Sequence, residues 1–583
     1  MIMVLMNWFY ITCIIYLAGS ACMNLLIKAF GSKKEPNLFS VLFTGITVTT
    51  LYAQIFSVFS GVNMWANILP IIFCLLYLLL AKRSLAERIR VFGIKTMECL
   101  ERRGKVFLSV LVIGGVMIAA LLSAGQTKML DTGWYHAQTI RWIEEYGSVK
   151  GVANLFIPLG FNSAQHYFDA LFSMRFIFGQ SMHATGGYFA CLLMLHSLCR
   201  LAGWKKHRYH TADALAIAEM VYAIIITAFY ADPYTDTLPN CLVLFIFAEW
   251  IGLLEEQREH GQKPGKEDIF SYGFLCLLGV YATVIKTSVV FVMLLTLYPA
   301  YLLIKEKEWK KIAGYLITGI AIIVPFFLTN IRTSGYLVFL AGKIDLFPVK
   351  WKVEKDILIH AVDSMIYDVR NIDAPMGEVI GDGIAWIPRW FLNGSISHQI
   401  LYIGVLILIM FDLFYLFIRL IKRSKIDICM LLTRFTVYLG LIYWLFTLPQ
   451  VRYCWAFLLF VLAVIPVWYV EEIGGGKLKS AGIMIKGAVI LSSVILGMFT
   501  GFYGLRTLGY LKQNVPFYLI RQADYEKYEM VPVEKDGITF YIREEGGAIV
   551  CGYYVFPYLN DESMLEDIVV GDELRDGFYL SDE

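Results

Sequence analysis

The stretch from Phe107 to Ala124 carries no charge, and Leu401–Leu420 and Ile483–Thr500 carry no more than two each. Runs of this length approach or reach the roughly 20 residues needed to cross a bilayer core. In that core every backbone amide must find its partner within the protein, which leaves helices or a closed barrel. Continuous runs argue for helices, because barrel strands would alternate over about ten residues. Composition agrees: 17% of the 583 residues are charged, where soluble domains carry roughly 25%. A net charge of +2 predicts no polyanionic partner and hence no nucleic acid. Most of the cysteines lie inside apolar runs, where they behave as small hydrophobes. Met1–Phe30 has no basic start, so it reads as a retained first helix rather than a cleaved signal.

Short loops beside membrane spans carry excess Lys and Arg on the cytoplasmic side. The most basic segment runs from Lys82 to Lys105, and fixing it inside also places Lys28, Lys205–Arg208, Lys305–Lys311, Lys422–Lys425 and Lys477–Lys479 inside. The pattern predicts an all-α transmembrane bundle of about fourteen spans, among them 184–203, 269–285, 287–304 and 482–503. The bundle would occupy residues 1–503 of a plasma-membrane protein with both termini outside. Outer loops would cover 126–180 and 330–399, and residues 504–583 would form a small α+β module beyond the membrane. Within that module Ile538–Ile542 and Ala548–Val550 read as strands. Ser163–Phe178 is apolar but contains His166, Asp169 and Arg175, and is expected to form an interfacial helix.

The unusual polar residues collect on the predicted outer side. Asp131 follows a span and precedes His136 and two aromatics, a setting suited to accepting a proton from a hydroxyl; by spacing alone a helix N-cap is the commoner explanation. Asp232 and Asp236 share a six-residue turn and would bind a cation, orient a sugar or cap the next helix. Lys286 lies deep in an apolar stretch, either functional or snorkelling to a helix end. Arg332 and Arg452 face the same leaflet as Lys286. Three such cations make a cradle for a lipid phosphate, since guanidinium binds phosphate bidentately, or else ordinary interface anchors. The spacing of His136 and His166 matches no metal motif.

Several segments taken together resemble a bacterial branch of the GT-C glycosyltransferase superfamily. They are Asp131 with Tyr135-His136, Trp142–Gly147, Gly151 with Asn154-Leu155, Leu159–Ser163, Asn330–Tyr336 with Pro348 and Trp351, Trp444–Tyr453, and Cys551–Pro557 with Asp576–Phe578. The resemblance covers most of the chain beyond about Leu121, on short motifs. It implies transfer of a sugar from a polyprenyl-phosphate donor, at the outer face, to a glycan, lipid or protein. Asp131 would then be the general base, with Lys286 and Arg452 at the donor phosphate. His136, Asp232, Asp236 and Arg332 complete the candidate binding set. The resemblance names no certain cofactor and leaves a divalent metal open. Two departures stand out: Asp131 is followed by Thr132 where paired acids are common, and Gln450 stands where an acid is expected. A polysaccharide transporter or flippase, and a non-catalytic scaffold for envelope-glycan assembly, are the competing functions. Against a transporter, the sequence shows no inverted repeat.

Overall fold

The computed structural model describes residues 1–583 apart from 104, 203–210, 262–263, 371, 382, 424–425, 474–482, 543–549, 560–564, 566–567 and 581–583. The architecture is a helical bundle followed by a few short strands. Among the described residues, thirteen helices are long and apolar enough to cross a membrane. The expected span at 184–203 is the helix Thr185–Ala202, which is not among the thirteen; His196, Ser197 and Arg200 dilute its apolar face. The basic runs Lys205–Arg208 and Lys477–Lys479, with Ser424 and Lys425, lie outside the described residues.

Two kinds of helix make up the bundle. Thr237–Glu259 and Lys266–Ile285 are buried along most of their length, whereas Met64–Arg83 and Val106–Ser123 expose most of theirs. The exposed side chains are Leu79, Leu80, Val106, Phe107 and others like them. So continuous an apolar surface would be an aggregation hazard in water and is the normal surface of a protein in lipid.

Where the hydrophobic effect cannot hold helices together, close backbone approach can. Gly19 and Gly45 supply it between Ile2–Phe30 and Leu38–Ser57. A Cβ on Gly45 would drive into the Ile15 carbonyl, and one on Gly19 into the Val41 carbonyl. Gly45→Leu is therefore expected to lower the melting temperature of the detergent-purified chain. Gly497→Leu, where no atom of the described residues lies within reach of an added Cβ, is expected to leave it unchanged.

A buried polar knot ties three further helices. Asp412 on Ile396–Ile421 accepts hydrogen bonds from the Tyr438 hydroxyl at 2.6 Å and the Tyr469 hydroxyl at 2.7 Å. The Arg434 Nε lies 3.5 Å from the same carboxylate, and both charged side chains are almost fully buried.

Three expectations change on contact with the structure. The last span continues as one helix, Ile483–Asn514, past the expected boundary at 503. Its extension has partners of its own: Thr507 bonds Thr227, and the Asn514 amide donates to the Leu121 carbonyl. Ser163–Met174 is buried, with an eight-residue helix, Ala164–Leu171, whereas the short helix Arg175–Phe178 that follows exposes Phe176, Ile177 and Phe178. The polar groups of the buried part are held inside: Gln165 Nε2 donates to the Tyr234 carbonyl and the Tyr167 hydroxyl to Asn162 Oδ1. In the tail, Ile538–Ile542 is a strand, paired antiparallel to Val531–Lys535 and parallel to Tyr558–Leu559. Asp536 and Gly537 both adopt positive φ, as a two-residue hairpin turn requires. Ala548 and Ile549 lie outside the described residues, and Val550 is not in a strand. Ile568–Val570 and Phe578–Leu580 form a second, antiparallel pair.

The tail is not a separate body. Phe540, Tyr558 and Phe578 share one hydrophobic core with Tyr135, Trp142, Leu155 and Leu159. The Gly133 carbonyl accepts from the amides of Cys551 (3.0 Å) and Gly552 (2.9 Å). Arg141 donates to the carbonyls of Tyr553 and Tyr554 at 2.8 and 2.7 Å. A third seam joins 330–351: the Gly151 amide donates to the Arg332 carbonyl, and Asn154 Nδ2 bridges the carbonyls of Trp351 and Phe578.

Candidate functional site

Asp131 stands at the head of a one-turn π-helix, Thr132–His136, and makes no capping hydrogen bond to it. Such turns are rare and recur at functional sites. The carboxylate instead reaches across the bundle: Oδ2 lies 2.8 Å from Arg452 Nη1. Arg452 occupies a short 3₁₀ turn, Val451–Tyr453, whose backbone is fastened by Asn240 Nδ2 donating to the Arg452 carbonyl. Its Nε faces Asp236 Oδ2 at 3.8 Å, and Asp236 Oδ1 pairs with the Lys286 ammonium. Asp236 precedes Thr237–Glu259 but makes no side-chain cap either. The sequence allowed cap readings for both acids; the geometry assigns both to one chain of ion pairs, Asp131–Arg452–Asp236–Lys286. Tyr453 braces it, accepting from Arg452 Nη2 at 2.9 Å and receiving Lys286 over its ring at 4.1 Å. Lys286 itself sits where the helix Lys266–Ile285 ends and a ten-residue 3₁₀ stretch, Thr287–Thr296, begins.

Beside this chain two buried imidazoles meet, His136 Nδ1 lying 2.7 Å from His166 Nε2. Burial, with the Lys286 and Arg452 charges close by, holds His136 well below the usual histidine range. Burial, His136 and Lys286 do the same to His166. Two neutral imidazoles share one N–H between them, and among the described residues His166 Nδ1 has no hydrogen-bond partner. Close by in sequence, burial pushes the Asp169 carboxyl up to about 7.

Asp232 has a different task. Fully buried, its carboxylate accepts from the Lys128 and Met129 amides at 3.1 Å and from the Thr132 hydroxyl at 2.8 Å. These donors flank Asp131 on both sides, so Asp232 sets the course of the loop that carries it. Arg332 stands apart from the ion-pair chain. Its Nε donates to the Ser148 carbonyl at 2.8 Å, within the seam between 148–154 and 330–351. Among the described residues no three His, Cys, Asp or Glu side chains converge as metal ligands would.

Next to Arg452 opens a cavity of about 370 Å³, within the size range of small-molecule sites. Its walls are aromatic and aliphatic, including Tyr234, Trp390, Tyr402, Trp455 and Tyr503, with Arg452 and Arg506 as its guanidinium groups. Arg506 donates to the Tyr510 hydroxyl at 2.8 Å, and the Lys128 ammonium lies over the same ring. Burial, opposed by Asp232 and assisted by Arg506, pulls Lys128 down to about 8. Lys128, Arg506 and the aromatic walls did not stand out in the sequence. Their signal was weak: Arg506 falls beyond the expected end of its span, and each ring alone reads as an interface anchor.

The family described as domain of unknown function DUF8201 matches residues 1–459. The chain belongs to this family. The DUF8201 match contains every member of the ion-pair chain from Asp131 to Arg452, and stops before Arg506 and the tail. No curated protein and no solved structure matches the chain.

Proposed function

We propose that this chain is a GT-C-type membrane glycosyltransferase that takes a sugar from a polyprenyl-phosphate donor at the outer face of the plasma membrane. Fourteen spans with both termini outside accompany this reading, Thr185–Ala202 being the fourteenth. The observation that carries it is the contact of Asp131 with Arg452 at an apolar, aromatic-walled cavity. A carboxylate and a guanidinium side by side are what the reaction needs. The acceptor O–H gives its proton to Asp131 and its oxygen bonds to the anomeric carbon. The bond from that carbon to the phosphate oxygen breaks, and the departing polyprenyl phosphate keeps the electron pair beside Arg452. Aromatic walls suit both a sugar ring and a prenyl tail. The acceptor is a surface glycan, lipid or protein.

Asp131→Asn keeps the shape of the side chain and removes the base. It is expected to cut sugar transfer from a polyprenyl-phosphate-linked pool, in membranes carrying the protein, by about 10²–10⁴-fold, the usual worth of general-base catalysis. Unchanged transfer, with expression and insertion intact, would sink the enzyme reading at its base.

One observation favours a second reading. The span that begins at Thr287 starts as a ten-residue 3₁₀ stretch beside Lys286, and broken spans beside a charge also mark carriers. A carrier would move lipid-linked glycan across vesicles without making a new glycosidic bond, which the same assay distinguishes.

A further inference from the structure

Among the described residues lining the cavity, Arg452 alone also belongs to the ion-pair chain. The chain is neutral as it stands, two carboxylates against two cations, so the one cavity cation that no carboxylate engages, among the described residues, is Arg506. To reach Arg452 as well, an anion has to compete with Asp131. The edge of Arg452 formed by Nη1 and Nη2, which would grip a phosphate bidentately, is occupied: Nη1 by Asp131 and Nη2 by the Tyr453 hydroxyl. Nε faces Asp236 without a hydrogen bond, and the Arg452 carbonyl is held by Asn240. The guanidinium can therefore change its partner on one edge while its other edge and its backbone stay moored.

Resting on the glycosyltransferase reading, we infer that the donor's phosphate takes Arg452 from Asp131, so that the base is released only once the donor is seated. Binding is then ordered, donor before acceptor. In the empty site the carboxylate is tied to Arg452, which guards against proton abstraction with no sugar in place. No bond is made or broken in this exchange; one ion pair replaces another.

The exchange makes a prediction of unusual sign: removing the proposed base strengthens ligand binding. The probe is farnesyl phosphate, titrated onto the full-length chain in nanodiscs, with farnesol and inorganic phosphate as separate arms. Asp131→Asn is expected to bind farnesyl phosphate about tenfold more tightly than wild type, the equivalent of roughly 1.4 kcal/mol. Asp131→Ser, smaller and also uncharged, should do the same and stands in if the asparagine variant folds poorly. Asp236→Asn loosens the mooring of Arg452, so it should bind no better than wild type. Farnesyl phosphate binding wild type and Asp131→Asn equally would overturn the exchange while leaving the donor reading intact. Equal tightening in Asp131→Asn and Asp236→Asn would also overturn it, since lowered negative charge alone would then explain the gain. Failure of farnesyl phosphate to bind any variant would overturn the donor reading itself. Tightening of inorganic phosphate in parallel supports the exchange and assigns it to the head group alone; tightening confined to farnesyl phosphate supports it and adds the prenyl tail. Farnesol binding that shifts with Asp131 would count against any role for phosphate.

Discussion

In Asp412→Ala, unfolding of the detergent-purified chain is expected to move far below wild type, with a loss of roughly 3–5 kcal/mol. The carboxylate is fully buried and carries three partners: the Tyr438 and Tyr469 hydroxyls and the Arg434 guanidinium. Deleting it leaves a positive charge in the bundle, with the rings of Trp468 and Tyr469 more than 5 Å from the guanidinium carbon to either centroid. Two Arg434 nitrogens, Nε and Nη2, already lack hydrogen bonds, so the arginine depends on this carboxylate for its compensation. The same reasoning gives the double variant the opposite outcome. Asp412→Leu with Arg434→Met removes both charges together, and apolar replacements of buried pairs are often neutral. Thermal melts of the single and double variants check this. A double variant as unstable as Asp412→Ala would show that the Tyr438 and Tyr469 hydroxyls, orphaned in both, set the loss rather than the stranded charge.

The second large effect belongs to Asp232. Asp232→Ala strips the acceptor from the Lys128 and Met129 amides and the Thr132 hydroxyl together. The buried Thr132 hydroxyl left unpaired costs about 1–3 kcal/mol, and the two half-buried amides less. The loop has little reason to keep its course, and a misplacement of about 1 Å near reacting groups can cost about 100-fold in rate. Hydrogen exchange across 126–133 is expected to accelerate strongly, and transfer to fall with it. A pH series adds a signature of its own. Burial raises the Asp232 carboxyl to about 6, against about 3.9 in an unfolded chain. Between those values the folded chain holds a proton that the unfolded chain has lost. Its stability contribution therefore falls as pH rises from about 4 to about 6, then levels off. Loop protection, corrected for intrinsic exchange, should fall from about pH 4 to about pH 6 in wild type, since opening returns the carboxyl to its ordinary range, and stay flat in Asp232→Ala.

The membrane bundle was legible in the sequence because hydropathy is a local signal: a helix such as Val106–Ser123 declares itself without reference to any neighbour. Four of the candidate residues, Asp131, Asp236, Lys286 and Arg452, were visible as polar exceptions at one end of the bundle, and the structure brings those four together. Their pairing was not legible, since it depends on which helix ends meet across a fold. Arg332 has the same residue type and the same predicted leaflet as Arg452, yet a backbone carbonyl takes its Nε. Asp232 and Asp236 share one turn and diverge because side chains four residues apart there face different neighbours, the loop in one case and the cations in the other. The segments that carried the family resemblance prove largely to be scaffolding: Gly151, Asn154 and Phe578 hold three stretches of chain in register.

The grip of the tail on Gly133 has a consequence in time. The amides that take the Gly133 carbonyl belong to Cys551 and Gly552, and 418 residues separate Gly133 from Cys551. A growing chain exposes Asp131 and its π-turn long before the ribosome has made the residues that fasten them. Arg452 and Arg506 also arrive late. The candidate site is thus completed late, only after synthesis has passed Gly552.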